Sequence, residues 1–524
     1  MEERAPGRRL AWSTAIFSLA TGLSRLLGLV REIVAAAIFG AGGKINAFTV
    51  AFQVPNLMRS LVADAALSSA FVPVFSELLE KGERKRAWRV ASTLFWLLLL
   101  GLTAIVALLI VIAPLIIAPF GDPGGDKQLA ITLSRILFPI VVLLGVSGII
   151  VGILNSYEHF TVPALTPVFW NLAIIAGLVF GVPHADTLDA KLYIYAVSIV
   201  IGTVIQVLLP LPWLYGLDDR LRFALDWRDP AIRQVFVLMI PVTIGLGLIN
   251  FNLLVNTLFA SRFINPELAP RAIDAAFRIY MLPQGMFSVA VATVLFPRLS
   301  RLAARADMEG FRNTVAMGLR QIAFTLVPAS VFTAILATPI TRIIYEHGKW
   351  TAEDTTVTSQ ALAAFSLGLT FNGAMLMLNR AFFGMQRPWT PTAVALGNLA
   401  LNTALAAALY QVGVWGIPLA TSLANIGGAA MLLVLFRRRL GRIDFSGTLR
   451  AVTKIAIAST ALAVVAYPVW RVLDNALGRS LGGQLVSLGS AFVLGFGTYL
   501  ILCRLLGVRE LDPLLSLASR FRRG

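Results

Sequence analysis

The run FWLLLLGLTAIVALLIVIAPLIIAPF, residues 95–120, holds no ionisable side chain over 26 positions. About 20 mainly apolar residues in a helix cross the hydrocarbon layer of a membrane. The run is therefore one crossing, and Lys81, Arg84, Lys85, Arg86 and Arg89 just before it mark an end left in water. The rest of the chain repeats this alternation. Of 524 residues, 57% are hydrophobic and 14% charged, with a mean hydropathy of +0.80. A soluble domain carries about 25% charged residues, so ordinary aqueous solubility is excluded.

Fourteen such runs lie near 11–39, 46–77, 87–119, 128–153, 163–182, 188–216, 232–260, 271–300, 312–344, 355–383, 390–410, 413–436, 449–473 and 483–506. The expectation is an all-α polytopic membrane protein. Loops between runs are short, about 20 residues at most, which leaves no room for a soluble catalytic domain and points to a transporter rather than an enzyme. The first run is long and carries Arg25 and Arg31, so it reads as a retained span and not a cleaved signal peptide. Cys503 is the one cysteine and His159, His184 and His347 are the only histidines, which excludes an intramolecular disulfide and disfavours metal clusters.

The net charge of +17 has a topological reading. With the N-terminus inside, 27 Lys and Arg fall on inner segments, seven on outer loops and ten within spans. The positive-inside bias places both termini in the cytoplasm and makes the number of spans even. Nucleic-acid binding is not needed to explain the charge.

An internal echo divides the chain. Ala51-Phe52-Gln53-Val54-Pro55 precedes Phe71-Val72-Pro73-Val74-Phe75-Ser76 by about twenty residues. Ala276-Phe277-Arg278, with Pro283 soon after, precedes Phe296-Pro297-Arg298-Leu299-Ser300 by a similar interval. Each pair sits on the second helix of a six-span set, as in transporters built from parallel repeats. The expected units are 1–220 (spans 1–6), 221–440 (spans 7–12) and 441–524, a helix pair with a basic tail.

Ten basic residues fall inside spans. Arg135, Arg320, Arg342, Arg380, Lys454 and Arg471 lie near span ends, where long side chains snorkel to the interface. Arg25 and Arg59 do not: they lie about 21 and 20 Å into their spans at 1.5 Å per residue. A charge at that depth costs roughly 2.5–3.5 kcal/mol and should face a cavity or a partner. Arg31 and Arg278 are intermediate. Pro55 precedes Arg59 and Pro283 follows Arg278 by about a turn, and membrane helices tolerate proline where backbone lines a wet space. Glu32, Asp64 and Asp274 are the nearby acids, fewer than the four arginines, so an anion site competes with internal pairing. The guanidinium fork suits phosphate oxygens.

Ser24-Arg25-Leu26-Leu27-Gly28-Leu29-Val30-Arg31-Glu32, Phe39-Gly40-Ala41-Gly42, Ala47-Phe48 and Pro55-Asn56-Leu57-Met58-Arg59 resemble the amino-terminal signature of the MurJ (MviN) family. The resemblance continues through Ala70-Phe71-Val72-Pro73 and Ile153-Leu154-Asn155. That family belongs to the multidrug/oligosaccharidyl-lipid/polysaccharide exporter superfamily. The resemblance implies two six-helix lobes around a cationic cavity, with spans 13 and 14 adding a lipid-tail groove. It also implies flipping of lipid II, the undecaprenyl-diphosphate-linked peptidoglycan precursor, across the bacterial inner membrane. Arg25, Arg31, Arg59 and Arg278 match the family's substrate-binding arginines. Departures occur at Asn46, at Asp64-Ala65 and at Met281, where many members carry Asp, Glu-Gly and an acid. Glu32, Asn46 and Asp64 are candidates for gating or pairing.

Some members are thought to bind a cation, at positions that look like Asn250, Asn398, Asn402 and Thr421 here. Interhelical hydrogen bonding competes as a role for these amides. No cofactor is expected. The membrane potential or a coupled monovalent cation such as Na+ would drive transport. Two rivals stand beside the flippase reading. Another superfamily exporter would carry a polysaccharide precursor, or a cationic drug held by unpaired deep carboxylates. A membrane enzyme would need clustered acids, for which Asp218-Asp219 and Asp226/Asp229 are nearest. In their basic inner loop these read as solvated charges.

Overall fold

The computed structural model describes residues 5–62, 65–387, 389–441 and 445–511, and among them there are helices and turns but no strand. Among the described residues ten helical spans are long and apolar enough to cross a membrane, and a bent pair brings the number to eleven. The three other expected spans are occupied by α1 (Ala5–Phe39), by α2 (Ile45–Val62) with α3 (Ala65–Glu80), and by α9 (Pro230–Phe259). Length and apolarity alone do not fix the count at fourteen. The chain is a multi-pass membrane protein.

Contacts divide the residues into two compact units. The first runs to Pro270 and includes His347–Lys349; the second holds Arg271–Glu346 and the chain from Trp350 onward. In the first unit follow α4 (Arg84–Ile117), α5 (Lys127–Leu137), α6 (Pro139–Ser156), α7 (Thr161–Ala176) and α8 (Leu188–Leu208). α1 packs along α7, and α2 and α3 pack on α6 and α9. Aromatic rings fill the core: Phe48 stacks on Tyr195 at 4.3 Å, and Phe75 meets both Trp88 and Tyr157. α4, which carries the charge-free run, buries little of itself and exposes Leu108, Val111 and Leu115. In water that face would be a large apolar patch; in a bilayer it is the lipid-facing surface.

The second unit contains α10 (Ala269–Pro283), α11 (Val289–Ala304), α12 (Met308–Ile335), α13 (Ala337–Tyr345), α14 (Ala352–Ser366), α15 (Leu369–Gly384), α16 (Trp389–Leu409), α17 (Gly416–Leu440), α18 (Phe445–Leu477) and α19 (Leu481–Leu505). α14 and α15 form the pair bent by 44°. Pro283 ends α10 and a π turn, Gln284–Ser288, leads into α11. A π turn is the form in which a helix absorbs an interrupted hydrogen-bond ladder. α18 and α19 pair and lean on α12. Contact grouping thus sets α9 with the helices before it and α18–α19 with unit two, whereas the expected division at 220 and 440 was by repeat. That repeat division remains a proposal.

Arg320 and Arg342 correct an expectation. They do not snorkel: Arg320 Nε donates to Glu510 at 2.8 Å, and Arg342 pairs with Asp474 and donates to Gln484 Oε1 at 3.3 Å. The partners lie on or beyond α18 and α19, so these arginines fasten the helix pair to α12 and α13. Arg380 lies over the Phe296 ring at 5.4 Å.

Candidate functional site

In the first unit, α1 carries Arg25 and Arg31. Arg25 is exposed, 14 residues before the end of α1 and therefore about 21 Å along the helix from it. Arg31 is different. Its side chain is 12% exposed, with Nη1 donating to Asn171 Oδ1 at 3.2 Å and Nη2 to Glu32 Oε1 at 2.7 Å. Its guanidinium also lies 4.7 Å over the Trp170 ring. Asn171 in turn donates to the Ser24 and Pro167 carbonyls at 3.3 and 2.9 Å. Charge, hydrogen bonds and a π face together offset the cost of burying this cation between α1 and α7.

Glu32 therefore serves Arg31, its neighbour, rather than Arg25. Asn171 and Trp170 were missed in the sequence. The available signal was an amide in the middle of an apolar span, which in a membrane helix wants a partner.

Arg59 lies on α2, one turn past Pro55, and its side chain is outside the described residues, as is Asp64. Asn46 is fully buried at the start of the same helix. Its amide donates to the carbonyls of Ala41, Gly43 and Glu267 at 2.8, 3.1 and 2.5 Å. Those three acceptors would repel a carboxylate, so asparagine suits this setting where many relatives are expected to carry Asp.

In the second unit, Arg278 Nε donates to Asp274 Oδ2 at 2.8 Å, and Arg271 Nη1 reaches the same oxygen at 3.3 Å. One carboxylate thus serves two guanidinium groups on α10. Arg278 keeps a third of its side chain exposed and Arg271 is buried. Of the cation-site candidates, Asn398 and Asn402 lie on α16 and Thr421 on α17, which pack together, while Asn250 belongs to α9 of the first unit. Asn398 Nδ2 touches Met375 Sδ at 3.6 Å, and its Oδ1 is buried with no hydrogen-bond partner among the described residues. Thr421 donates back to the Ile417 carbonyl, and Asn250 accepts from Asn56 at 3.4 Å.

In the segment before α9, Asp218, Asp219 and Asp229 are engaged rather than merely solvated, while Asp226 is exposed. Asp218 accepts from Arg84 and from the Tyr157 hydroxyl, both at 2.7 Å. Burial, reinforced by that carboxylate, pushes the Tyr157 phenol up to about 12. Asp229 accepts two bonds from Arg86 at 3.0 Å and caps α9 through Ala231 N. Arg86 holds its carboxyl below the usual carboxylate range. Among the described residues no group of three or more His, Cys, Asp or Glu could hold a metal ion.

The family described as Lipid II flippase MurJ matches residues 35–478. The chain belongs to the MurJ family. A lipid II flippase MurJ of Burkholderia cenocepacia is 32% identical over 388 residues, covering 72% of this chain and 74% of that protein. The solved structure of a lipid II flippase MurJ in an inward closed conformation aligns with a TM-score of 0.77 at 26% identity, covering 96% of this chain and all of the other. A multidrug MATE transporter of the MOP superfamily, inward-facing, aligns at 0.68 over 82% of this chain and 96% of its own. At 14% identity that likeness shows a shared fold and nothing about substrate.

Proposed function

We propose that the chain flips lipid II from the inner to the outer leaflet of the bacterial cytoplasmic membrane, with both termini cytoplasmic. Family membership carries the reading, and the exposed Arg25 deep in α1 supports it: a cation there costs stability unless an anion uses it. Arg25, Arg59 and Arg278 would grip the diphosphate while the polyprenyl chain stays in lipid. Arg31, already held by Asn171, Glu32 and Trp170, would meet the diphosphate late, by exchanging one of those partners. Alternating access then carries the headgroup outward. Moving negative charge out is favoured by an inside-negative potential, at about 2.3 kcal/mol per charge per 100 mV. Coupling to a cation at Asn250, Asn398, Asn402 and Thr421 is the second proposed driving force.

The test is binding of lipid II to the purified protein, competed with undecaprenyl diphosphate and with a lipophilic cation. Arg25→Ala and Arg59→Ala should each weaken binding tenfold or more, on the order of 1.5–3 kcal/mol for a charged hydrogen bond. Arg471→Ala is the control, since Arg320 holds Glu510 and would confuse the result. Normal binding by both variants, or competition by the cation, would remove the anion-clamp mechanism.

A further inference from the structure

The segment between α8 and α9 has a feature that transport does not explain. After a short turn at Leu211–Leu214 it runs without regular structure to Asp229, the N-cap of α9. It exposes three aromatic side chains, Tyr215 at 73%, Phe223 at 70% and Trp227 at 67%. Arg220, Arg222 and Arg228 alternate with them and are exposed too. The segment is nevertheless fixed. Arg222 N donates to Ser92 Oγ at 3.1 Å, Asp226 N to Thr93 Oγ1 at 3.3 Å, and Trp96 Nε1 to the Arg222 carbonyl at 3.0 Å. Phe223 meets the Trp96 ring edge-on at 5.2 Å.

These anchors set its depth. Ser92 to Trp96 lie eight to twelve residues into α4, about 12–18 Å along the helix, just where its charged end gives way to the charge-free run. That level is the headgroup region, where aromatic rings with one wet edge accumulate. Three of the four acids of the strap are answered internally, Asp218 by Arg84, Asp219 by Arg222 and Asp229 by Arg86, which leaves exposed Asp226 against the exposed Arg220 and Arg228 and a net positive surface. Arg220 and Arg228 instead lie beside the Tyr215 and Trp227 rings, at 6.0 and 5.6 Å. We infer that the 215–229 strap is a binding surface for anionic phospholipid, with Arg220 and Arg228 on the phosphates and Tyr215, Phe223 and Trp227 in the glycerol region. Charge complementarity selects the anionic lipid: aromatic rings alone would accept a zwitterionic one equally.

The experiment measures thermal stabilisation of the full chain in detergent on titration with phosphatidylglycerol, phosphatidylcholine or inorganic phosphate. Quenching by brominated phosphatidylglycerol, read as the difference between the chain and Trp227→Phe, locates the site. Phosphatidylglycerol should bind best and quench Trp227. Arg220→Gln with Arg228→Gln should weaken it by roughly tenfold to thirtyfold, at about 1 kcal/mol per basic residue, and Arg220→Lys with Arg228→Lys should restore it. Among the described residues neither side chain holds an ion pair that folding would miss, and lipid II binding by the Gln variant should stay normal. Equal stabilisation by phosphatidylcholine would reduce the strap to a neutral aromatic belt. Stabilisation by phosphate alone would make it a free-anion site, and unchanged affinity in the Gln variant would overturn the inference. None of these results bears on the flippase assignment, which the Arg25 and Arg59 variants test.

Discussion

Arg25 and Arg31 sit six residues apart on one helix and have opposite circumstances. Six residues turn a helix by about 600°, so the two side chains leave on different faces. One face meets α7, where Asn171 and Trp170, together with Glu32 of α1 itself, take up Arg31; the other leaves Arg25 exposed. Asn171→Ala should therefore cost about 1.5–3 kcal/mol in unfolding stability, because it strips a partner from a buried cation. A midpoint equal to the parent's would show that Glu32 and Trp170 suffice. At the start of α9, the Arg86–Asp229 pair gives a pH signature. The lowered Asp229 value means its stabilisation is complete above the ordinary carboxylate value of about 4 and is lost as pH falls through the lowered value. The gap in unfolding midpoint between the chain and Arg86→Gln should thus be constant near neutrality and close in acid. A gap that widened in acid would contradict the pairing.

Among the elements, α18 and α19 owe their placement to contacts that no local pattern announces. At one end Arg342 pairs with Asp474, both largely buried; at the other Arg320 pairs with Glu510; between them the Tyr499 hydroxyl donates to the Phe324 carbonyl at 2.6 Å. Asp474→Leu leaves the Arg342 charge unanswered and should cost roughly 3–5 kcal/mol, while Arg342→Met added to it should recover most of that loss. Thermal unfolding of the two variants decides, and no difference between them would mean the pair is not coupled. Snorkelling was the natural reading of both arginines from the sequence, since each lies within a few turns of a span end. Their partners lie 132 and 190 residues away, a separation at which hydropathy and spacing carry no signal. The reverse held for Pro283, where the interruption expected from the proline is met by the π turn that follows it.

For the whole molecule, the charge distribution makes a checkable statement about sidedness. The one cysteine, Cys503, is buried, so single cysteines placed on the surface can be labelled selectively. Lys85→Cys should react with an impermeant maleimide only from the cytoplasmic side, and Lys127→Cys only from outside. Labelling of both from one side would break the even-span topology. The sequence by itself determined that the chain crosses the membrane as helices. In hydrocarbon every backbone N–H and C=O must be satisfied within its own segment, so a charge-free run of sufficient length has one solution. It also carried the family, through Arg25, Arg31, Pro55 and Arg59 in close order. What only the tertiary structure decided is which basic residues are engaged. Arg31, Arg320 and Arg342 are held by partners from other helices, while Arg25 is left exposed. A cation's state in low dielectric is set by the atoms within about 4 Å of it, and helix packing, not sequence proximity, chooses most of those atoms.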